Sequence, residues 1–249
     1  MTLPSLDSQS GGNGNSSSPS WSHAVSSGAQ VVYASLVLVG WAGGAHSVTF
    51  DGLVMTNIVA VGSTGAGTIH LLVYRILANL TPGSKPVAWT LANGANYAGM
   101  SAAFVAGVAT PETNLQTAGM SARGGLTFSV ANPTNGMAVC IDGAYNTAAG
   151  APTYNAGDTI IRTETRSWGF TTRNMSSYQA GSGSTTVGVD GWANTTNSVG
   201  AAWGLSPTTA GNRVMLLAAR RWQEFIRELK HGLVPPDVLR RRYRELVAI

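Results

Sequence analysis

The feature that most constrains this chain is a series of short β-forming runs separated by turn residues, from Trp21 to about Arg221. Residues 29–41 (AQVVYASLVLVGW) are rich in β-branched and aromatic side chains, which is typical of a buried strand. Residues 46–62 predict a hairpin that turns at Asp51-Gly52, because Asp-Gly favours the tight turn between antiparallel strands. Further strands are predicted over 68–91 (a pair joined by a Pro-Gly loop), 98–108, 126–130, 136–142, 159–166, 184–192 and 212–220.

This pattern predicts an all-β fold, a single antiparallel β-sandwich of jelly-roll-like type over residues 20–221. The composition agrees with a folded chain, because hydrophobic residues make up 44% of it and recur in β-rich runs. Charged residues are only 10%, against roughly 25% in an ordinary soluble domain. The expected surface of the sandwich is therefore neutral and polar.

The run TIIRTETR (159–166) also predicts which side chains share a face. Side chains alternate between the two faces of a strand. Two sets follow from that alternation: Arg162, Glu164 and Arg166 on one face, and Ile161, Thr163 and Thr165 on the other. One face of this strand is expected to meet solvent.

The two ends of the chain differ from its middle. Residues 1–19 are rich in Ser, Gly and Asn, which predicts a flexible, extended N-terminal arm. Residues 222–249, the C-terminal tail, show a helical period and predict two short amphipathic helices. Gly232 is a plausible end for the first helix, and Pro235-Pro236 separates it from the second.

The basic residues are concentrated at the C-terminal end. Nine of the fifteen Lys and Arg residues, but four of the eleven acids, follow residue 212, which leaves six bases and seven acids before it. Two short helices are marginal on their own and must pack on something, either their own sandwich or another chain. We expect docking on another protein through these residues: Trp222, Phe225, Ile226, Leu229, Leu239, Arg240, Arg241, Arg242, Tyr243 and Leu246.

No catalytic motif is apparent, and no catalytic residue, metal site or cofactor is predicted. The four histidines have no His, Cys or acidic neighbour at metal-ligand spacing. Neither a nucleophile elbow, a zinc-protease helix motif nor a phosphate-binding loop occurs. No signal peptide or membrane span is predicted, and the basic residues, interleaved with apolar ones, favour a protein-docking face over a nucleic-acid site.

Two residue types carry local expectations of structure. Cys140 lies in the apolar run GMAVCIDG and is expected to be a small buried side chain. Asp51, Asp142 and Asp190 are each followed by Gly, which predicts turns rather than ligands.

Aromatic residues offer a second candidate site. Trp89 and Trp203 lie in strand-like runs and are expected in the core. Trp168 and Trp192 lie near predicted loops and, with Tyr178, are candidates for a platform that stacks against a sugar ring. Core packing is the alternative for these three as well.

The order of these runs resembles a known family. SWSHAVSSGAQVVYASLVLVGWAG, HSVTFDGLVMTNIV and IHLLVYRILANLTPGSKPVAWTLANGANYAGMSAAFVAGV resemble a β-sandwich domain of minor tail and other virion proteins of phages infecting actinobacteria. Phe50-Asp51-Gly52, Tyr74, Pro82-Gly83 and the run from Phe104 to Val108 stand at its characteristic positions. GMAVCIDG and WGLSPTTAGNRVMLLAA continue the resemblance, which covers about Ser20 to Ala219.

The resemblance implies a non-enzymatic structural or adhesive module of the virion, made in the host cytoplasm. The expected partners are other virion proteins of the tail or capsid, further copies of this chain and, as an alternative, a host cell-wall glycan. The basic tail departs from the plain domain, so a minor tail protein and a capsid decoration protein both stay open.

Overall fold

The computed structural model describes residues 3–63, 68–77, 80–106, 112–120, 125–146, 152–167, 171–191 and 195–207. These ranges are all-β, with fifteen strands, no helix and only antiparallel pairing. The predicted all-β, antiparallel class is therefore confirmed. Every described residue belongs to the unit Met1–Thr208, whereas the unit Thr209–Ile249 lies outside the described residues.

The central sheet has five strands, in the spatial order β1-β9-β3-β7-β6. Its strands are β1 (Ser5–Ser16), β3 (Val31–Val39), β6 (Thr56–Gly62), β7 (Ile69–Leu77) and β9 (Ala95–Val105). On one side lies a small sheet in the order β2-β8-β4-β5. Its strands are β2 (Ser20–Val25), β4 (His46–Phe50), β5 (Leu53–Val54) and β8 (Gly83–Leu91).

On the other side lies a long sheet in the order β10-β15-β11-β14-β12, with β13 also paired to β14. Its strands are β10 (Thr113–Met120), β11 (Thr127–Asn146), β12 (Thr153–Tyr154), β13 (Thr159–Ser167), β14 (Thr171–Gly191) and β15 (Thr195–Leu205). The runs 126–130 and 136–142, predicted as two strands, belong to the one strand β11, whose register shifts between Asn132 and Gly136.

The central sheet is covered on both faces, because every residue of β3 is buried. Alternate side chains of β3 enter two separate cores, as the period of two along a strand requires. Val32 and Leu36 pack in the core towards the small sheet, and Tyr33 and Val37 in the core towards the long sheet. This position between two sheets explains the continuous apolar run of β3. The fold therefore has three layers, one more than the predicted sandwich.

The two tryptophans expected in the core are there. Trp89 lies in the core next to the small sheet and Trp203 in the core next to the long sheet. The hairpin at Asp51-Gly52 is also confirmed, since both residues have positive φ (52° and 77°), as the mirror-image turn of a tight hairpin needs. Beside this turn, Lys85 Nζ lies 3.1 Å from Asp51 Oδ2.

The structure corrects the flexible arm predicted over residues 1–19. Ser5–Ser16 form β1, which pairs with β9 from Ser5↔Val105 to Ser16↔Ala95. Composition suggested disorder because the segment is nearly free of apolar side chains. Its order comes from backbone pairing with β9 and from polar contacts, neither of which composition records.

One face of β13 meets solvent, as expected, and it is the face of Thr163 and Thr165 rather than the charged one. Ile161, expected on the same face as these threonines, is buried beside the register shift between Ile160 and Arg162. Glu164 is buried and Arg162 is half-buried, whereas Thr163 and Thr165 are exposed. The charged side chains turn inward because Arg162 and Glu164 neutralise each other there.

The expected turn at Asp142-Gly143 is absent, because both residues lie within β11. Asp142 is buried, as is the neighbouring Cys140, which confirms the expected burial of the cysteine. The predicted strand 212–220 and the two predicted tail helices lie outside the described residues.

Candidate functional site

Most residues of the two predicted sites lie outside the part of the chain that the structure describes. All ten docking residues of the tail, from Trp222 to Leu246, lie outside the described residues. So do Trp168 and Trp192 of the proposed sugar platform. Their roles stay predictions.

Tyr178, the third platform residue, is described. It lies in β14 opposite Val139 of β11 and Thr159 of β13. Its half-buried side chain packs against the core between the central and long sheets. Only part of this ring is therefore accessible to a ligand.

A cluster of polar side chains surrounds β1. We call the groove that holds this strand, between β2, β9 and β13, the β1 slot. One face of β1 meets β2 of the small sheet, and the other face meets β13 of the long sheet. Polar contacts fasten the strand on both faces.

His23 of β2 is the centre of the first set of contacts, and its side chain is fully buried (0% exposed). Its Nδ1 lies 2.8 Å from Ser10 Oγ of β1 and 2.9 Å from Ser101 Oγ of β9. Its Nε2 lies 3.3 Å from Ser8 Oγ, which donates a 2.5 Å hydrogen bond to the Ala24 carbonyl oxygen. The imidazole therefore links three strands from two sheets.

Neighbouring groups complete this cluster. Trp21 Nε1 donates to Ser101 Oγ over 2.9 Å, and the Ser10 and Ser101 hydroxyl oxygens are also 2.9 Å apart. The Phe50 ring packs edge-on against the imidazole. At the end of the strand, the Asp7 carboxylate accepts a 3.0 Å hydrogen bond from the Ser26 amide and another from its hydroxyl.

Burial lowers the pKa of His23 from 6.5 to about 4, and the Asp7 carboxylate opposes this shift only in part. His23 is thus neutral at pH 7 and can use one ring nitrogen as a donor and the other as an acceptor. A nucleophilic serine also requires a base close to its hydroxyl and a substrate within reach. This imidazole lies close to three hydroxyls but is shielded from solvent. That arrangement suits a structural link between strands.

The opposite face of β1 meets an ion pair on β13. Arg162 Nε donates to Glu164 Oε1 over 2.6 Å, and Arg162 Nη1 donates to Gln9 Oε1 over 2.7 Å. Asn13 Nδ2 lies 3.4 Å from Glu164 Oε2. Two side chains of β1 therefore satisfy polar groups of the long sheet that its own ion pair leaves available.

Steric fit restricts the middle of the slot. A Cβ atom on Gly11 would lie 2.6 Å from the Gly99 carbonyl oxygen and 2.7 Å from Glu164 Cγ. Gly99 is equally confined, by the side chains of Leu36 and Trp21. The Ser and Gly residues that suggest a disordered arm are thus the ones that the slot requires.

A second polar cluster lies in the long sheet. Cys140 Sγ donates a 3.4 Å hydrogen bond to Asp142 Oδ2. Burial raises the pKa of the Asp142 carboxyl well above its usual value, and the nearby Asp158 carboxylate adds to this effect. Burial likewise raises the pKa of the Cys140 thiol, so that it is a poor nucleophile.

Sequence reasoning missed the β1 slot. The signal that could have revealed it is the spacing of Ser8 and Ser10, which places two hydroxyls on one face of a strand. In a segment with Gly, Ser and Asn at most positions, that spacing does not stand out. The partner, His23, has no local feature that marks it as a link.

Within the described ranges, no group of three or more His, Cys, Asp or Glu side chains is arranged to hold a metal ion. No helix in the same ranges is long and apolar enough to cross a membrane.

Comparisons with protein-family models, with curated proteins and with solved structures found no match.

Proposed function

We propose that this chain is a non-enzymatic structural protein of a phage virion, most simply a minor tail protein. In this proposal, a jelly-roll-like β-sandwich is displayed on the particle, and the C-terminal tail anchors it. The chain is made in the host cytoplasm and joins other virion proteins of the tail, with several copies in each particle.

One observation carries the proposal: buried polar side chains of the described residues, His23 and Asn174 among them, fasten layers to one another. The His23 imidazole is buried among three serine hydroxyls, and the Arg162–Glu164 pair is turned into the β1 slot. The same use of polar groups recurs at Asn174 of β14, which donates to Ser35 Oγ of β3 over 2.9 Å. Such groups give a rigid, layered scaffold, the property that a particle component needs.

The charge distribution supports the anchor. Before residue 213 the bases and acids nearly balance, at six and seven, whereas the remainder has nine bases and four acids. A neutral sandwich suits a repeated surface component, because like-charged copies would repel one another. Arg240 to Arg242 in the tail suit an acidic partner surface, where complementary charge improves orientation and association rate.

The experiment compares the full chain with a truncation after Ala219, both tested for incorporation into phage particles. We expect the truncation to keep its β-type circular dichroism spectrum and to be missing from purified particles. As a matched control in the full chain, Trp222→Ala with Phe225→Ala should reduce incorporation, whereas Gln223→Ala should not. Normal incorporation of the truncation would refute the anchor.

There are two alternative functions, and the incorporation experiment distinguishes the first of them. A capsid decoration protein would be recovered with purified capsids rather than with tails. The paired segments at the start of β11 and the end of β14 favour the second alternative, a carbohydrate-binding module. They present an exposed, uncharged row of hydroxyls: Thr127, Ser129, Ser184 and Thr186.

Hydroxyl rows can exchange hydrogen bonds with the hydroxyls of a neutral polysaccharide. The test is sedimentation of the purified chain with purified host cell wall. If this module operates, Ser129→Ala with Thr186→Ala should lower the bound fraction several-fold, whereas Asn15→Ala, at an exposed residue of β1, should leave it unchanged. Equal binding by all three proteins would reject the hydroxyl row as the site.

A further inference from the structure

The β1 strand is held differently from its neighbours. No residue of β1 is fully buried, whereas β9, with which it pairs, is buried at nearly every position. Strands that bury little apolar surface open locally at lower cost than core strands. β1 is therefore the strand of the central sheet most able to leave its place.

The slot that β1 would leave cannot stay empty at low cost. Opening exposes the backbone edge of β9, which is a template for another strand. It also leaves His23 and the Arg162–Glu164 pair without the serine, glutamine and asparagine partners that β1 supplies. Loss of these partners costs free energy, which favours refilling of the slot.

The slot is also selective for the segment that refills it. Hydroxyls must stand two residues apart to meet both nitrogens of His23, as Ser8 and Ser10 do. The next residue must be Gly, because a Cβ at position 11 would clash with Gly99 and Glu164. A segment with this sequence exists in every copy of this chain.

We propose that the β1 slot accepts β1 of a second copy, so that neighbouring copies exchange this strand. The recognition is strand addition, with main-chain pairing for affinity and side-chain pockets for specificity. In a separate molecule, the tethered β1 competes at an effective concentration of the order of millimolar and fills its own slot. Exchange becomes competitive where copies are held close together, a setting that rests on the proposed virion function.

The experiment traps exchanged strands with a disulfide between purified full-length chains, mixed at a concentration of the order of millimolar so that a second copy can compete with the tethered strand. Asn15 of β1 and Asn96 of β9 are directly paired, so cysteines at these positions can form a disulfide across the two strands. One chain carries Asn15→Cys and the other carries Asn96→Cys, so that only β1 of one copy on β9 of the other joins them. Cys140 is buried and common to both chains, and wild type reports any contribution from it.

The matched control is a pair that cannot exchange in this way. Thr49 and Val54 are directly paired within the tight β4–β5 hairpin. A mixture of Thr49→Cys and Val54→Cys chains therefore reports cross-links that arise from random collision. After mild oxidation, we expect several-fold more mixed dimer from the Asn15/Asn96 mixture, with the 15–96 linkage identified by mass spectrometry.

A directional variant sharpens the test. Gly11→Ala in the Asn96→Cys chain should destabilise that chain's own β1 in its slot. The yield of mixed dimer should therefore rise. The same substitution in the Asn15→Cys chain should lower the yield, because the donated strand no longer fits. A general loss of stability would not produce opposite effects.

Mixed dimer at or below the level of the hairpin control would overturn strand exchange, whatever the behaviour of the Gly11→Ala chains. Equal effects of Gly11→Ala in both positions would also overturn it. Because this assay uses purified chains, it can fail while the chain still joins particles, and it can succeed if the chain does not. The two proposals are thus tested separately.

Discussion

At the scale of single residues, His23 links stability to pH. Its pKa is lowered to about 4 in the folded chain, from an ordinary value of 6.5. Between these values the unfolded chain binds more protons than the folded one, so protonation favours unfolding. The contribution of His23 is complete above pH 6.5 and is lost as the pH falls towards 4.

We expect this loss to reach about 3 kcal/mol of unfolding free energy near pH 4. His23→Gln should be less stable than wild type at pH 7, because it loses ring packing and hydrogen bonds. The difference between the two proteins should shrink as the pH falls from 6.5 to 4. Urea unfolding followed by tryptophan fluorescence at several pH values measures it, and a constant difference would count against this role.

At the scale of elements, Asn174 connects the long sheet to the central sheet. From β14 its amide donates to Ser35 Oγ of β3 over 2.9 Å and to the Ala98 carbonyl oxygen of β9 over 3.1 Å. The side chain is fully buried (0% exposed). It therefore satisfies acceptors in two strands of the neighbouring sheet that have no access to water.

Asn174→Ala should lower the unfolding free energy by about 2 kcal/mol, since buried partners are left unpaired. Asn15→Ala, at an exposed position of β1, should change it by less than about 0.5 kcal/mol. Chemical denaturation of both variants gives the comparison. Similar values for the two would mean that Asn174 does not hold the sheets together.

Some of these elements could be predicted from sequence patterns and others could not. β3 and the Asp51-Gly52 hairpin were predictable because their signals are local: an apolar run and a turn dipeptide. β1 was not, because its order depends on pairing with β9, far along the chain, and on contacts with His23. Which face of β13 meets solvent was not predictable either, because a charged side chain can turn inward when its partner does. The period of two along the strand does not reveal that partner.

At the scale of the whole molecule, the central sheet makes the two cores one cooperative structure. Leu72 packs in the core towards the small sheet and Ile141 in the core towards the long sheet. Adjacent residues of β3 enter opposite cores, so the loss of either core would expose about half of the apolar side chains of β3. The layers of the described residues should unfold together.

Leu72→Ala and Ile141→Ala should each lower the unfolding free energy by about 2–5 kcal/mol. In both variants, far-ultraviolet circular dichroism and tryptophan fluorescence should report the same single transition. Two separated transitions in either variant would show that the layers unfold independently. Thr163→Ala, at an exposed position of β13, is the matched control and should leave the midpoint nearly unchanged.

The polar composition of β1 has a consequence during synthesis. Ser5 is made about a hundred residues before Val105, the residue with which it pairs. Until β9 emerges, the segment has no partner, and an apolar β-forming segment exposed for that time would be prone to aggregate. A strand of Ser, Gly and Asn stays hydrated while it waits, and closes the central sheet only when its partner has been made.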